Sequence, residues 1–329
     1  MSITTSNHFN ILPGFTPTDS LVEFSLKNIK TIYVGFYDDY SEKKWPVAFN
    51  TINRRGEGGS FFGKKAFSSF IKKAEKYNVS VYVVFNVNYT KQQIPWIIKS
   101  IKFVSKFNAV KGVIVNDINL ILLLKNYEKE IIISTLGTNL NSYVIEFYKE
   151  FGAKRIVLDR QLTAKEVLTI LNKFPEIKFE MFFLMADGCF FIDGYCTSVH
   201  IQETDSNVRY DNSIKSTLCM KVFNDLKEKN NKIVSNMLPY KCNLCLLYFL
   251  IKYNNITIKI PNRTITDSTG INIINTIHDI ETQLNKKTMT LNKFKKYCSN
   301  LLMKNRKIKC NSKVCLCRDL YEKGNSNRH

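Results

Sequence analysis

Cysteine is missing from the first half of this chain: all nine lie at or beyond Cys189. Whatever sulfur chemistry the protein performs therefore belongs to its second half, and the first half is scaffold. Glycine and proline are scarce, at 13 and 7 among 329 residues, which excludes a fibrous or disordered chain. No long hydrophobic run occurs. The greasiest stretch, from Ile118 to Leu124, is far too short to span a bilayer. The opening residues MSITTSNHFN are polar and lack the charged-then-apolar order of a secretory signal. A cytoplasmic protein without a membrane span is the expectation. Nucleophile signatures are missing as well: there is neither Gly-x-Ser-x-Gly nor His-Glu-x-x-His.

Acidic residues are outnumbered, 28 against 48 basic, giving a net charge of +20. A field of that sign attracts polyanions and makes RNA a natural partner. The Lys, Asn and Ile richness is spread along the whole chain, however, so a general compositional bias produces the same number. Short basic runs, such as Lys72-Lys73, Lys295-Lys296 and Lys304 to Lys309, fall on expected helices or in the tail.

From about residue 30, β-branched runs alternate with amphipathic helical stretches. Strands are expected at Thr31–Phe36, Val79–Phe85, Gly112–Val115, Ile131–Thr135, Arg155–Leu158, Lys178–Leu184, Lys232–Asn236 and Thr257–Ile260. Helical patterns such as Lys64–Tyr77, Gln92–Phe107, Asn141–Phe151 and Thr163–Phe174 lie between them. Strand then helix, repeated about eight times, predicts an α/β fold of the parallel (β/α)8 TIM-barrel type. An open doubly wound sheet is the alternative, since periodicity does not prove closure. The barrel is expected over residues 1–285, followed by a basic, helical, cysteine-bearing tail over 286–329. Two long connections, Tyr37 to Gly63 and Met185 to Asn231, follow strands and so belong to the C-terminal face, where barrels carry their chemistry.

An odd number of cysteines in a cytosolic chain fits metal or redox chemistry better than a disulfide framework. Cys189 and Cys196 lie in the loop after the sixth expected strand. Cys242 and Cys245 form a Cys-x-x-Cys at the start of the helix after the seventh. Neighbouring loops of a barrel share one rim, so the two pairs are expected to converge as four thiolates, a set that holds zinc or an iron–sulfur cluster. Cys219 lies between the pairs and competes for a place. Cys298 reads as a small buried hydrophobe in its helix. Cys310, Cys315 and Cys317 either form a second site, fold back over the first, or bind nothing.

Several segments resemble the collagenase-like peptidase (U-32) family. Ile133-Ser-Thr-Leu-Gly-Thr-Asn139, leading to Phe151-Gly-Ala-Lys-Arg-Ile-Val-Leu-Asp-Arg-Gln-Leu162, is similar to its "STQANVTN, helix, LGAKRVVLARELS" segment. Glu180-Met-Phe182 followed by Cys189-x4-Gly194-x-Cys196 resembles its cysteine signature, and Lys259-Ile-Pro-Asn-Arg263 its closing "KI-x-GR". The resemblance covers about residues 30–265. It implies a barrel and an oxygen-sensitive 4Fe–4S cluster on four cysteines. Family members act in oxygen-independent ubiquinone hydroxylation, in hydroxylation of tRNA or ribosomal RNA, or are described as collagen-degrading peptidases. Cys189 and Cys196 carry over directly as ligands; Cys219, Cys242 and Cys245 compete for the other places. The chain departs from the pattern at Met185, at Gln161 and at Asn262, and one extra residue lies between Glu180 and Cys189.

Strand ends also present Asp38, Asp39, Asn86, Asp117, Arg160, Glu180 and Arg263. Asp117 and Glu180 are the candidate acid–base residues, and Arg160 and Arg263 the candidate clamps for an anionic substrate. A salt-bridge ring that closes the barrel mouth is the competing reading. The expected function is an iron–sulfur protein performing or assisting hydroxylation of RNA or an aromatic small molecule, with an electron donor or paralogous partner protein. A peptidase acting on collagen-like or unstructured peptides and a metal-stapled interaction module are the alternatives.

Overall fold

In the computed structural model, residues 8–38, 52–54, 60–187, 241–261, 267–311 and 315–321 are described. Eight parallel strands close into a ring: β1 (Asn10–Phe15), β2 (Thr31–Tyr37), β4 (Ser80–Phe85), β5 (Val110–Val115), β6 (Glu130–Ile133), β7 (Arg155–Val157), β8 (Lys178–Phe182) and β11 (Ile256–Ile260). A short strand, β3 (Ser60–Phe62), pairs with the end of β2. Closure comes from β1, which pairs with β11 through Asn10–Thr257 to Pro13–Ile260 and with β2 through Gly14–Tyr33 and Phe15–Val34. The expected parallel barrel is therefore present, and the open sheet is excluded.

The first strand went unread in the sequence because Pro13-Gly14 in its middle looks like a turn. Proline cannot donate to a ladder. Here it occupies the pair with Ile260, near the end of the β1–β11 contact. The expected strand at Lys232–Asn236 lies outside the described residues, and the ring is complete without it.

Alternate residues face opposite sides of each strand. Leu12, Tyr33, Tyr82, Val84, Ile114, Ile132, Val157 and Phe182 fill the barrel interior. The other set joins the inward faces of the surrounding helices in a larger shell, with Phe36, Phe85 and Phe179 fully buried. Helices α2 (Gly63–Lys76), α3 (Ile94–Ser105), α4 (Ile118–Leu123), α5 (Ser142–Glu150) and α6 (Ala164–Lys173) follow their strands in turn, after a short α1 (Leu21–Leu26). The start of α6 is fixed by a capping box between Thr163 and Glu166, which satisfies two exposed N–H groups at once.

After β8 the chain forms β9 (Met185–Asp187), which pairs antiparallel with β10 (Lys241–Cys242). A 3-10 turn over Leu244–Leu246 and the short α7 (Leu247–Leu250) lead to β11. Two longer helices follow, α8 (Asp267–Leu284) and α9 (Leu291–Arg306). Phe294, Cys298 and Leu302 of α9 are buried in the outer shell, so this basic helix packs on the barrel through one face. No described helix is long and apolar enough to cross a membrane.

Candidate thiol-lined mouth of the barrel

Inside the barrel, below its mouth, charge is neutralised by charge. Glu180 on β8 has no exposed surface. Its Oε2 accepts from Lys259 Nζ at 2.5 Å, and its Oε1 is 3.5 Å from Arg155 Nη1. Arg155 Nε also donates to Glu130 Oε1 at 3.2 Å, and Tyr82 donates its hydroxyl to Glu130 Oε2. The cations stack on rings as well, Lys259 over Tyr33 and Arg155 over Tyr82, at 4.2 and 5.0 Å. Burial alone would lower the Arg155 pKa; Glu180, Tyr82 and Glu130 together outweigh it and raise it. Burial and the bond to Glu130 hold the Tyr82 phenol protonated. Glu180 thus sits within its strand in an interior ion-pair network with Lys259 and Arg155.

Asp117 is also committed. Its Oδ1 accepts from Leu120 N at 2.9 Å as the N-cap of α4, and its Oδ2 accepts from Tyr89 N at 2.9 Å. The second bond ties the loops after β4 and β5 together. Asp38 pairs with Lys64 at 3.3 Å. Arg160, beyond the end of β7, stacks on Phe182 at 5.0 Å, a cation held at the mouth. Arg263 and Asp39 lie outside the described residues, as do Cys189, Cys196 and Cys219.

The remaining six cysteines are all described and all free; Cys242, Cys245, Cys298 and Cys317 are buried in the outer shell, and Cys310 and Cys315 pack against it. Cys242 and Cys245 are brought to the mouth by Asn243, which acts as a backbone clip. Its Nδ2 donates to Phe182 O at 2.8 Å, and its Oδ1 accepts from Leu184 N at 3.0 Å. The spacing of the two cysteines did signal a site. Asn243 between them carried no sequence signal, because an Asn beside a cysteine reads as a turn residue.

The segment holding Cys315 to Cys317 folds back across the mouth. Cys315 bridges Cys242 in parallel, Leu316 N donates to Cys242 O at 2.9 Å, and Leu316 O accepts from Ala164 N at 2.8 Å. The Leu316 side chain packs on the interior cluster. Asp319 Oδ2 accepts from Lys165 N at 2.9 Å, anchoring the segment on the first turn of α6.

The thiols interact with one another. Cys298 donates toward Cys245, which lowers the Cys245 pKa and raises its own. Cys317 stands in the same relation to Cys315, whose pKa falls to about 7. Burial pushes Cys242 up to about 12. Lys295 of α9 adds positive potential at Cys245, Cys310 and Cys315, and its Nζ lies 3.9 Å over the Tyr321 ring. Cys298 is buried, as expected for an inert hydrophobe, yet its sulfur meets that of Cys245. Among the described residues no three Cys, His, Asp or Glu side chains stand at the spacing of a metal site; four of the six thiols interact as two pairs.

Comparison with known proteins gives the following. The model of peptidase family U32 matches residues 20–312. Over 140 residues the chain is 27% identical to tRNA hydroxylation protein P of Escherichia coli (strain K12), covering 42% of this chain and 30% of that protein. The same-named protein of Haemophilus influenzae is 28% identical over 140 residues, with the same coverage. The matched stretch thus spans under a third of the length of these relatives. A solved U32 peptidase superposes with a TM-score of 0.47 at 10% identity, covering 79% of this chain and 95% of that one.

Proposed function

Because the chain belongs to peptidase family U32, we propose that it carries a 4Fe–4S cluster at the barrel mouth and performs or assists hydroxylation of RNA. Support for the reaction and its substrate class comes from the curated relatives, named for tRNA hydroxylation. The net charge of +20 favours a polyanionic partner. An electron donor or a paralogous partner protein belongs to the same reading.

The observation that carries the proposal is the placement of Cys242. It is buried at the mouth and paired through β10 with β9, Cys242 to Met185 and Lys241 to Asp187. Cys189 follows Asp187 by two residues, a covalent reach of about 7 Å. Cys196 and Cys219 lie further along the same connection, and with Cys189 and Cys242 they make four soft sulfur donors. Cys245 competes with Cys219 for the fourth place, but its sulfur is already engaged by Cys298. The residues present fit the cluster. Such a cluster supplies one-electron transfer. The chain's own part is to exclude water, with Leu316 packed over the interior, and to offer Arg160 on Phe182 as a cation for a phosphate oxygen.

The peptidase reading gains nothing from the carboxylates, since Glu180 and Asp117 are both held by partners inside the fold. Anaerobic purification with iron and sulfide analysis tests the cluster. The expected result is a brown protein whose visible absorbance disappears in Cys189→Ala and in Cys242→Ala. A wild-type chain that stays colourless after anaerobic reconstitution overturns the reading. For RNA, tRNA binding should weaken roughly 10³-fold between 50 and 200 mM salt if about six phosphates are contacted.

A further inference from the structure

The end of the barrel opposite the mouth holds a cavity of about 510 Å³, within the size range of small-molecule sites. It lies where the parallel strands begin. Four of them start in it with a polar or charged residue: Asn10 of β1, Thr31 of β2, Arg155 of β7 and Lys178 of β8. Barrel interiors are usually filled by layers of branched apolar side chains, and this layer is not. We propose that the cavity binds a small phosphomonoester, with Lys30 and Lys178 holding the phosphate. The inference does not rest on the function proposed above.

Charge decides the sign of the ligand. Lys30, Lys178, Arg155, His8 and His278 line the cavity, against one carboxylate, Glu281. That carboxylate is committed inside the fold. Its Oε1 accepts from Phe9 N at 2.6 Å and its Oε2 from His278 Nδ1 at 2.8 Å, and the residue is 3% exposed. Arg155 is committed too, to Glu130 and Glu180. Lys178 is not. It pairs in register with Arg155 across β7 and β8, and alternation puts both on the face of Val157 and Phe182, toward the barrel axis. Two like charges side by side on one face of a sheet repel. Among the described residues neither Lys178 nor Lys30 has a carboxylate at ion-pair distance. Both lysines are exposed while Tyr82 and Glu281 behind them are buried, so the cavity has an open entrance and a closed floor.

The donors left over favour phosphate over carboxylate. A guanidinium fork matches a planar carboxylate best, and Arg155, the arginine of this cavity, is already held by two glutamates. Lysines act as point charges, which suits a dianionic tetrahedral group. A phosphate alone is far smaller than the cavity. The rest of the wall sets Asn10, Asn254 and Thr257 beside Phe9 and Ile11. Amide and hydroxyl groups next to apolar surface fit the hydroxylated ring of a sugar phosphate.

Isothermal titration calorimetry of the full chain with ribose 5-phosphate tests the proposal, with ribose and malonate as comparisons. Ribose 5-phosphate should bind at least about tenfold more tightly than either. Lys30→Ala with Lys178→Ala should weaken it at least about tenfold. Lys72→Ala with Lys73→Ala, on the exposed side of α2, removes the same charge and should leave the affinity unchanged, as should Arg160→Ala at the mouth. Circular dichroism confirms the fold of each variant; exposed lysines leave the core intact. Four results overturn the proposal: wild type that does not bind ribose 5-phosphate, equal affinity for malonate, wild-type affinity in the Lys30 and Lys178 double variant, or loss of binding in Arg160→Ala.

Discussion

At the level of Glu180 the barrel holds Glu130, Arg155 and Lys259 alongside it, each within reach of an opposite charge. At the mouth lie Cys242 and Cys315, paired in parallel, with Lys295 adding positive potential at Cys315 and Arg306 donating to Met185 O beside them. Burial is costly for any charge. The interior meets most of that cost inside the protein, sign against sign, although Glu180 Oε1 has an ion pair and no hydrogen bond. At the mouth that cost is avoided, because burial keeps the Cys242 thiol neutral up to about 12. Burial and polarity alone do not separate the two; the presence or absence of a counter-charge does.

Breaking the ion-pair network of the interior should have the largest effect. Glu180→Gln leaves Lys259 and Arg155 buried without their shared anion, and a loss of about 3–5 kcal/mol is expected by urea denaturation. At the mouth, Asn243→Ala removes two buried bonds that hold the end of β8 against the Cys-x-x-Cys turn. It should cost about 2–3 kcal/mol and speed hydrogen exchange at Leu184. Leu316→Ala should cost about 1–2 kcal/mol by calorimetry, below the range for a fully buried leucine. In metal-free protein it should also raise the number of thiols that react quickly with a disulfide reagent. A substitution outside both regions sharpens the contrast: Asn141→Ala should cost about 1 kcal/mol through the lost cap of α5 and leave thiol reactivity unchanged.

Periodicity made seven of the eight ring strands readable, because each from β2 onward is a β-branched run followed by a helix pattern. It failed at β1, where proline and glycine speak for a turn locally and the pairing that overrides them comes from residues 256–260. The site was readable in part. Cys242-x-x-Cys245 stood out by spacing, but the contact between Cys245 and Cys298 joins segments far apart in the chain and leaves no periodic trace. Glu180 and Asp117 were readable as polar residues near strand ends. Their partners Lys259, Arg155 and Tyr89, which decide what they do, are fixed only by the closed ring and its loops.

The seam between β1 and β11 has a consequence for the order of assembly. β1 is made well before residues 256–260, its main neighbour, so early intermediates must carry β1 with one edge open. A nascent chain arrested before that point should present Leu12 and Phe15 to chaperones, and the seam should be the first place where the finished ring comes apart.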